Sequence, residues 1–163
     1  MFKSILVPTD GTPLSAVAVS KAIEFAKLNP DCQIVGITVA ELMPFAAVEG
    51  VGLVDPDKYE KGMRDMAQKC VNKIDEAAKA AGIPCKTIVA QSSTPSEEIL
   101  KAASDNGCDL IFMASHGRKG MNRVLLGSNT QKVLSESKIP VIVYRPEIAP
   151  EPGSGAQWDL MGF

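Results

Sequence analysis

Apolar positions along the chain alternate between two periods. Phe2–Val7, Gln33–Val39, Pro84–Ala90, Asp109–Ala114 and Ile139–Tyr144 are short apolar runs rich in β-branched residues, which predicts five buried strands. Between them the apolar residues recur at three- and four-residue steps, the helical period. After Thr12-Pro13, a cap and a first-turn proline, the residues Leu14, Ala18, Ala22, Phe25 and Ala26 predict a helix that Asn29-Pro30 ends. From about Lys58 to Ala81 the positions Met63, Met66, Cys70, Ile74, Ala77 and Ala81 predict a long helix lying on the core, closed by Gly82. Thr94-Pro95-Ser96-Glu97 has the form of a capping box, so a helix is expected from Pro95 to near Asn106-Gly107. Ser128 with Gln131 three residues on repeats the form, and predicts a last helix running to near Ser137.

Strand and helix in strict alternation imply an α/β fold, a five-stranded parallel open sheet with helices on both faces. Right-handed crossovers and one reversal of strand order give the order 3-2-1-4-5. The reversal falls between strands 1 and 4. Asp10 leaves one of these strands and Ser115 the other, so two segments meet at one crevice. Residues 40–57, with Pro44, Gly50, Gly52 and Pro56, make a connection longer than most in compact domains and read as a functional flap or excursion. From Pro146 the composition shifts to Pro, Gly, Ser and acidic residues. The expected division is therefore one domain over 1–146 and a loose tail over 147–163, with Trp158, Leu160 and Phe163 as its possible anchors.

Composition narrows the function classes. A chain of 163 residues can bury a real core, and a net charge of −2 gives no reason to expect nucleic acid or an anionic membrane as partner. One Trp, two Tyr and five Phe are few for a base-stacking surface. No apolar run approaches membrane-spanning length and the N-terminus reads as strand from Phe2, so a cytoplasmic location is expected. The cysteines Cys32, Cys70, Cys85 and Cys108 form no Cys-x-x-Cys pair, and the chain has a single histidine. Buried reduced thiols fit this better than a zinc site or redox chemistry.

The chemistry concentrates in the stretch from Met113 to Thr130. An apolar strand, a glycine-punctuated loop and a new helix make a setting for anions, because glycines let backbone approach a ligand and a helix start offers unpaired N–H groups. Ala114-x2-Gly117-x9-Gly127-Ser128 is similar to the nucleotide-binding motif of the universal stress protein family, Gly-x2-Gly-x9-Gly-Ser/Thr, with alanine at the first glycine. The opening Ile5-Leu-Val-Pro-Thr-Asp-Gly11 and the closing Lys138-Ile-Pro-Val-Ile-Val-Tyr-Arg145 resemble the same family, so the likeness covers roughly 1–146. It implies the same strand order and an adenine nucleotide (ATP, ADP or AMP) as ligand. The expected nucleotide-binding residues are Pro8, Thr9, Asp10, Val39, Met113, Ala114, His116, Gly117, Arg118, Gly127, Ser128, Asn129 and Thr130. Asp10 would hold the nucleoside and the backbone of Val39 would meet the base. The alternative for Asp10 is a turn aspartate bonding its own backbone. Backbone N–H groups and the hydroxyls of Ser128 and Thr130 would receive the phosphates, with Mg²⁺ able to accompany them. Arg118, Lys119 and Arg123 surround the loop with positive charge.

No catalytic constellation accompanies this site. His116 has no nucleophile in a recognisable motif beside it, and both the Gly-x4-Gly-Lys-Ser/Thr loop and a Gly-x-Gly-x-x-Gly after strand 1 are absent. The reading is thus binding and sensing in the stress response, with at most slow hydrolysis. The alternatives are a same-fold module that acts through protein contacts without nucleotide, favoured by Ala114, and a hydrolase or transferase using His116 or Asp10. The resemblance further implies a homodimer through the edge strand 139–144, which the tail could otherwise cover.

Overall fold

A computed structural model describes residues 1–41, 55–116 and 126–145, and over these the backbone alternates strand and helix. The elements are β1 (Ser4–Pro8), α1 (Pro13–Ala26), β2 (Gln33–Glu41), α2 (Pro56–Ala80), β3 (Cys85–Ser92), α3 (Pro95–Asp105), β4 (Leu110–Ala114), α4 (Ser128–Glu136) and β5 (Val141–Tyr144). All strand pairs are parallel, in the order β3-β2-β1-β4-β5. The expected sheet is the observed one. Each strand crosses between two layers of helix, so each face has its own core. Ile5, Val7, Ile34, Leu110 and Phe112 pack with Val19, Ala22 and Ile23 of α1 and with Ile74 and Ala78 of α2. Leu6, Val35, Ile37, Ile111 and Met113 pack with Ile99, Ala102 and Ala103 of α3 and with Val133 of α4. Central β4 is buried along its whole length, whereas edge strands β3 and β5 are half-buried almost throughout.

The helix ends follow the expected chemistry in part. Thr12 caps α1, its hydroxyl accepting from the Ser15 amide at 3.3 Å. At the far ends of α2 and α3, Gly82 (φ 72°) and Gly107 (φ 59°) adopt the left-handed conformation. Ile83 N–H then donates to Ala78 O and Cys108 N–H to Ala103 O, which satisfies carbonyls the helix leaves open. Asp109 fastens the base of the switch, its carboxylate accepting from the amides of Lys3 at 2.8 Å and Ser4 at 3.0 Å.

Three expectations need correction. The buried stripe of α2 is Ala67, Val71, Ile74 and Ala78, and Met66 is 50% exposed. The helix lies close to the sheet at Ile74: a methyl added at Gly36 would sit 3.0 Å from Ile74 Cδ1. Segment 40–57 is regular at both ends, since β2 runs to Glu41 and α2 starts at Pro56; the rest of it lies outside the described residues, as does the tail. The Thr94 box does not close in the expected way. The Thr94 hydroxyl donates to the Glu97 carboxylate at 3.2 Å, and makes no bond to a first-turn amide.

Candidate functional site

The switch point opens because β1 stays with β2. β1 pairs with β2 over Ser4–Pro8, and Thr9 N–H still reaches Ile37 O at 2.8 Å, but its register with β4 covers Ile5 and Leu6 alone. Beyond these the chains part. Ligands of open α/β sheets bind in such a crevice, outside the carboxyl ends of the strands where their order reverses. Extending the register sets Pro8 level with Met113 and Thr9 level with Ala114, so the expected residues of the two strands flank the same opening.

On the β1 side a hydroxyl network shapes the turn. Thr9 Oγ1 lies 3.0 Å from Ser15 Oγ and accepts from the Gly11 amide at 3.2 Å. Asp10 Oδ1 accepts from Thr12 N–H at 3.0 Å and from Thr12 Oγ1–H at 2.7 Å. The carboxylate is therefore oriented by its own turn before any ligand arrives. The turn reading of Asp10 is correct as geometry, and it leaves the half-buried side chain at the mouth of the crevice. Ser15, buried and central to this network, is not legible from the apolar pattern, which treats it as one more helix position.

On the β4 side both ends of the loop are pinned. Ser115 N–H donates to Tyr144 O at 3.0 Å, and Ser115 O accepts from Gly127 N–H at 2.9 Å. Thr130 Oγ1–H donates to Ala114 O at 3.2 Å, a buried bond that locks the first turn of α4 against the tip of β4. Ser115 Oγ also meets His116 Nδ1 at 3.0 Å. Gly117, Arg118, Lys119 and Arg123 lie outside the described residues. Met113 is buried in the α3/α4 core, so it can offer a ligand its backbone alone. Ala114 is 6% exposed with no positive φ, so its methyl is packed within the protein.

The start of α4 differs from the capping box that its sequence suggests. Gly127 is the cap residue and Ser128 the first helical one, while the Gln131 side-chain amide donates to Leu126 O at 2.9 Å. Among the described residues no side chain caps this end, and no acidic residue stands in its first turn. The backbone amides of Ser128, Asn129 and Thr130, which no intrahelical carbonyl can reach, therefore meet a positive dipole end without a neutralising group of the helix itself. The Thr130 hydroxyl turns inward to Ala114, and the Ser128 side chain is exposed. Val39, the expected contact on β2, is half-buried near that strand's carboxyl end.

The thiols lie away from this crevice. Cys32 and Cys108 are buried just before the amino ends of β2 and β4, Cys70 and Cys85 are half-buried, and all four are free. Burial pushes the thiols of Cys32, Cys85 and Cys108 above their ordinary range. No group of three or more potential metal ligands occurs among the described residues. No helix among them is long and apolar enough to cross a membrane.

The model of the universal stress protein family matches residues 1–145. The chain belongs to the universal stress protein family. Universal stress protein MJ0577 of Methanocaldococcus jannaschii is 30% identical over 156 residues, a match covering 89% of this chain and 96% of that protein. The solved structure of MJ0577 superposes with a TM-score of 0.74 at 29% identity, covering 91% of this chain and 99% of the other. Two further family structures share the fold. One is a universal stress protein in complex with cAMP (TM-score 0.64, 21% identity, 88% and 97% covered). The other is the Archaeoglobus fulgidus protein in complex with dAMP (TM-score 0.58, 17% identity, 88% and 98% covered). Of the stress-protein motif, Ala114 falls at the strand tip and Gly127 and Ser128 at the helix start that border the crevice, and Gly117 lies outside the described residues.

Proposed function

We propose that this stress protein is a cytoplasmic sensor or regulatory module that binds an adenine nucleotide. The observation that carries the reading is the uncapped N-terminus of α4, tied to the tip of β4 beside the opening between β1 and β4. A phosphate there would gain hydrogen bonds from backbone N–H groups and a favourable dipole end. In this arrangement Gly127, Ser128, Asn129 and Thr130 receive the phosphates through their amides, joined by the Ser128 hydroxyl. Gly117 and Arg118 join from the loop, with Mg²⁺ accompanying the phosphates. Asp10, already oriented by Thr12, takes a nucleoside donor, and the Val39 backbone meets the base. Pro8, Thr9, Met113, Ala114 and His116 form the walls. Family members of this fold bound to cAMP and dAMP support an adenylate as ligand class. Nucleotide would stabilise the loop from Ser115 to Gly127, and that loop or segment 40–57 would report occupancy to a protein partner. The catalytic machinery of a hydrolase is not part of this proposal.

The second reading is a stress protein without nucleotide, and Ala114 at the motif's first glycine is the observation that favours it. The buried methyl and unstrained backbone at Ala114 speak for the first reading instead. Calorimetric titration of ATP with Mg²⁺ into nucleotide-stripped protein separates the two, with Gly127→Val as control. Gly127 has φ −60° and ψ 148°, which valine also adopts, so the variant keeps its fold while a branched side chain crowds the phosphate position. Micromolar binding by wild type, lost in the variant, is expected. Absence of binding by folded wild type would end the nucleotide reading and direct the search to protein partners.

A further inference from the structure

Two buried polar atoms under α2 have no hydrogen-bond partner among the described residues: Thr38 Oγ1 and Gln91 Nε2. Both belong to the sheet face that α2 covers. Thr38 lies two residues beyond Gly36, which faces Ile74, and Gln91 lies six beyond Cys85, which packs on the same core. Gln91 is held from above, its Oε1 accepting from Arg64 Nη2–H at 2.8 Å. That bond fixes which end of the amide turns inward. Thr38 pairs with Val89 in the register, so Gln91 is its diagonal neighbour on the adjacent strand. With strands about 4.8 Å apart and a rise of about 3.3 Å per residue, such neighbours stand roughly 8 Å apart at Cα, within reach of a bridge between side-chain tips.

Apart from Arg64, the helix above offers the pair no polar side chain among its buried residues. α2 runs antiparallel to the strands, with Ile74 over Gly36 and Arg64 over Gln91, which is level with Ala40. The interval above Thr38 therefore falls to Ala67 and Val71, both buried and both without a polar side-chain atom. An unsatisfied buried donor or hydroxyl is among the costlier defects a fold can carry, and internal water is the usual remedy where two or more polar groups converge. We propose that a single internal water molecule occupies this place, accepting from Gln91 Nε2–H and exchanging a hydrogen bond with Thr38 Oγ1. The chain of bonds then runs from Arg64 on α2 through Gln91 and the water to Thr38. It adds a polar tie between this helix and the sheet beside the apolar contacts of Ala67 and Val71. The site lies outside the crevice and does not depend on nucleotide.

The test uses the full chain. A crystal structure that resolves ordered solvent is expected to show one density peak within hydrogen-bonding distance of both Thr38 Oγ1 and Gln91 Nε2. A dry gap, or direct contact between the two side chains, overturns the proposal. Thr38→Val keeps the shape and removes the hydroxyl, and its melting temperature is expected to fall while Thr38→Ser stays closer to wild type. An orphan hydroxyl predicts the opposite sign, so a Thr38→Val protein as stable as wild type or more so would also sink the idea. If that variant does not fold, the wild-type solvent peak decides alone.

Discussion

The hydroxyl of Thr130 shows how a single atom decides what a motif does. Its sequence position suggests a phosphate ligand, yet the structure spends the donor on Ala114 O inside the protein, at 3% residue exposure. Replacing it with valine leaves that carbonyl without its partner. Chemical denaturation of Thr130→Val is expected to show a loss of about 1–3 kcal/mol. The cysteines make a second residue-scale prediction. Burial raises the thiols of Cys32, Cys85 and Cys108, so at a given pH they hold less of the reactive thiolate than free cysteine does. Iodoacetamide at neutral pH, followed by mass spectrometry, is expected to leave Cys32 and Cys108 unmodified in folded protein and to label them in denaturant. Reduced, packed thiols were legible from spacing, because no metal or disulfide pattern competed. The cap of α4 was not: Ser128 and Gln131 have the right spacing, but the helix begins one residue too early for Ser128 to cap it.

At the scale of elements, α2 separates what periodicity reveals from what it leaves open. The three- and four-residue steps identify the helix correctly, but two overlapping stripes satisfy them, one with the larger side chains and one with the smaller. The larger stripe, through Met66, gives the greater apolar surface on paper. Tertiary packing buries Ala67, Val71, Ile74 and Ala78, keeps Ala77 and Ala81 partly packed on the same core and exposes Met66, while Ile74 fills the space above Gly36. Gly36→Ala places a methyl 3.0 Å from Cδ1 and 3.1 Å from Cγ2 of fully buried Ile74. Overpacking of this kind costs about 1–3 kcal/mol. Adding Ile74→Val removes Cδ1 and is expected to recover part of the loss, a coupling that a double-mutant cycle of denaturation midpoints would measure. Fully additive losses would mean that the two positions do not share the space.

For the whole molecule, the open edges and the crevice carry the predictions. Tyr144 and Pro140 give their carbonyls to β4, so in a parallel ladder the backbone groups of Val141 and Val143 point outward. If β5 is the homodimer seam, Val143→Pro removes an outward amide while keeping the bonds to β4. Sedimentation should then find a monomer in place of a dimer; a wild type that is already monomeric would remove this assembly. Nucleotide binding should register globally as well. At ligand concentrations near 100 times Kd, a site confined to the folded state adds about 2.7 kcal/mol, visible as a raised melting temperature that Gly127→Val abolishes.

The sequence alone determined the alternation of elements, the strand order and the location of the crevice. Hydrophobic period depends on local geometry, and the handedness of crossovers leaves few topologies. The motif at Gly117 and Gly127-Ser128 was legible as a resemblance to the family, and the family match over residues 1–145 bears that resemblance out. Tertiary structure decided the rest. Which stripe of α2 is buried depends on its packing against a distant strand, where Ile74 fills the space above Gly36. Whether Asp10 is held by its own turn depends on where the Thr12 hydroxyl points, and whether Thr130 faces ligand or core depends on the carbonyl of Ala114. Thr38 and Gln91 become neighbours only when two strands pair in register beneath a helix whose buried residues there are apolar. Each of these outcomes is set by contacts between residues remote in the chain or by the direction of one side chain, and neither has a period to read.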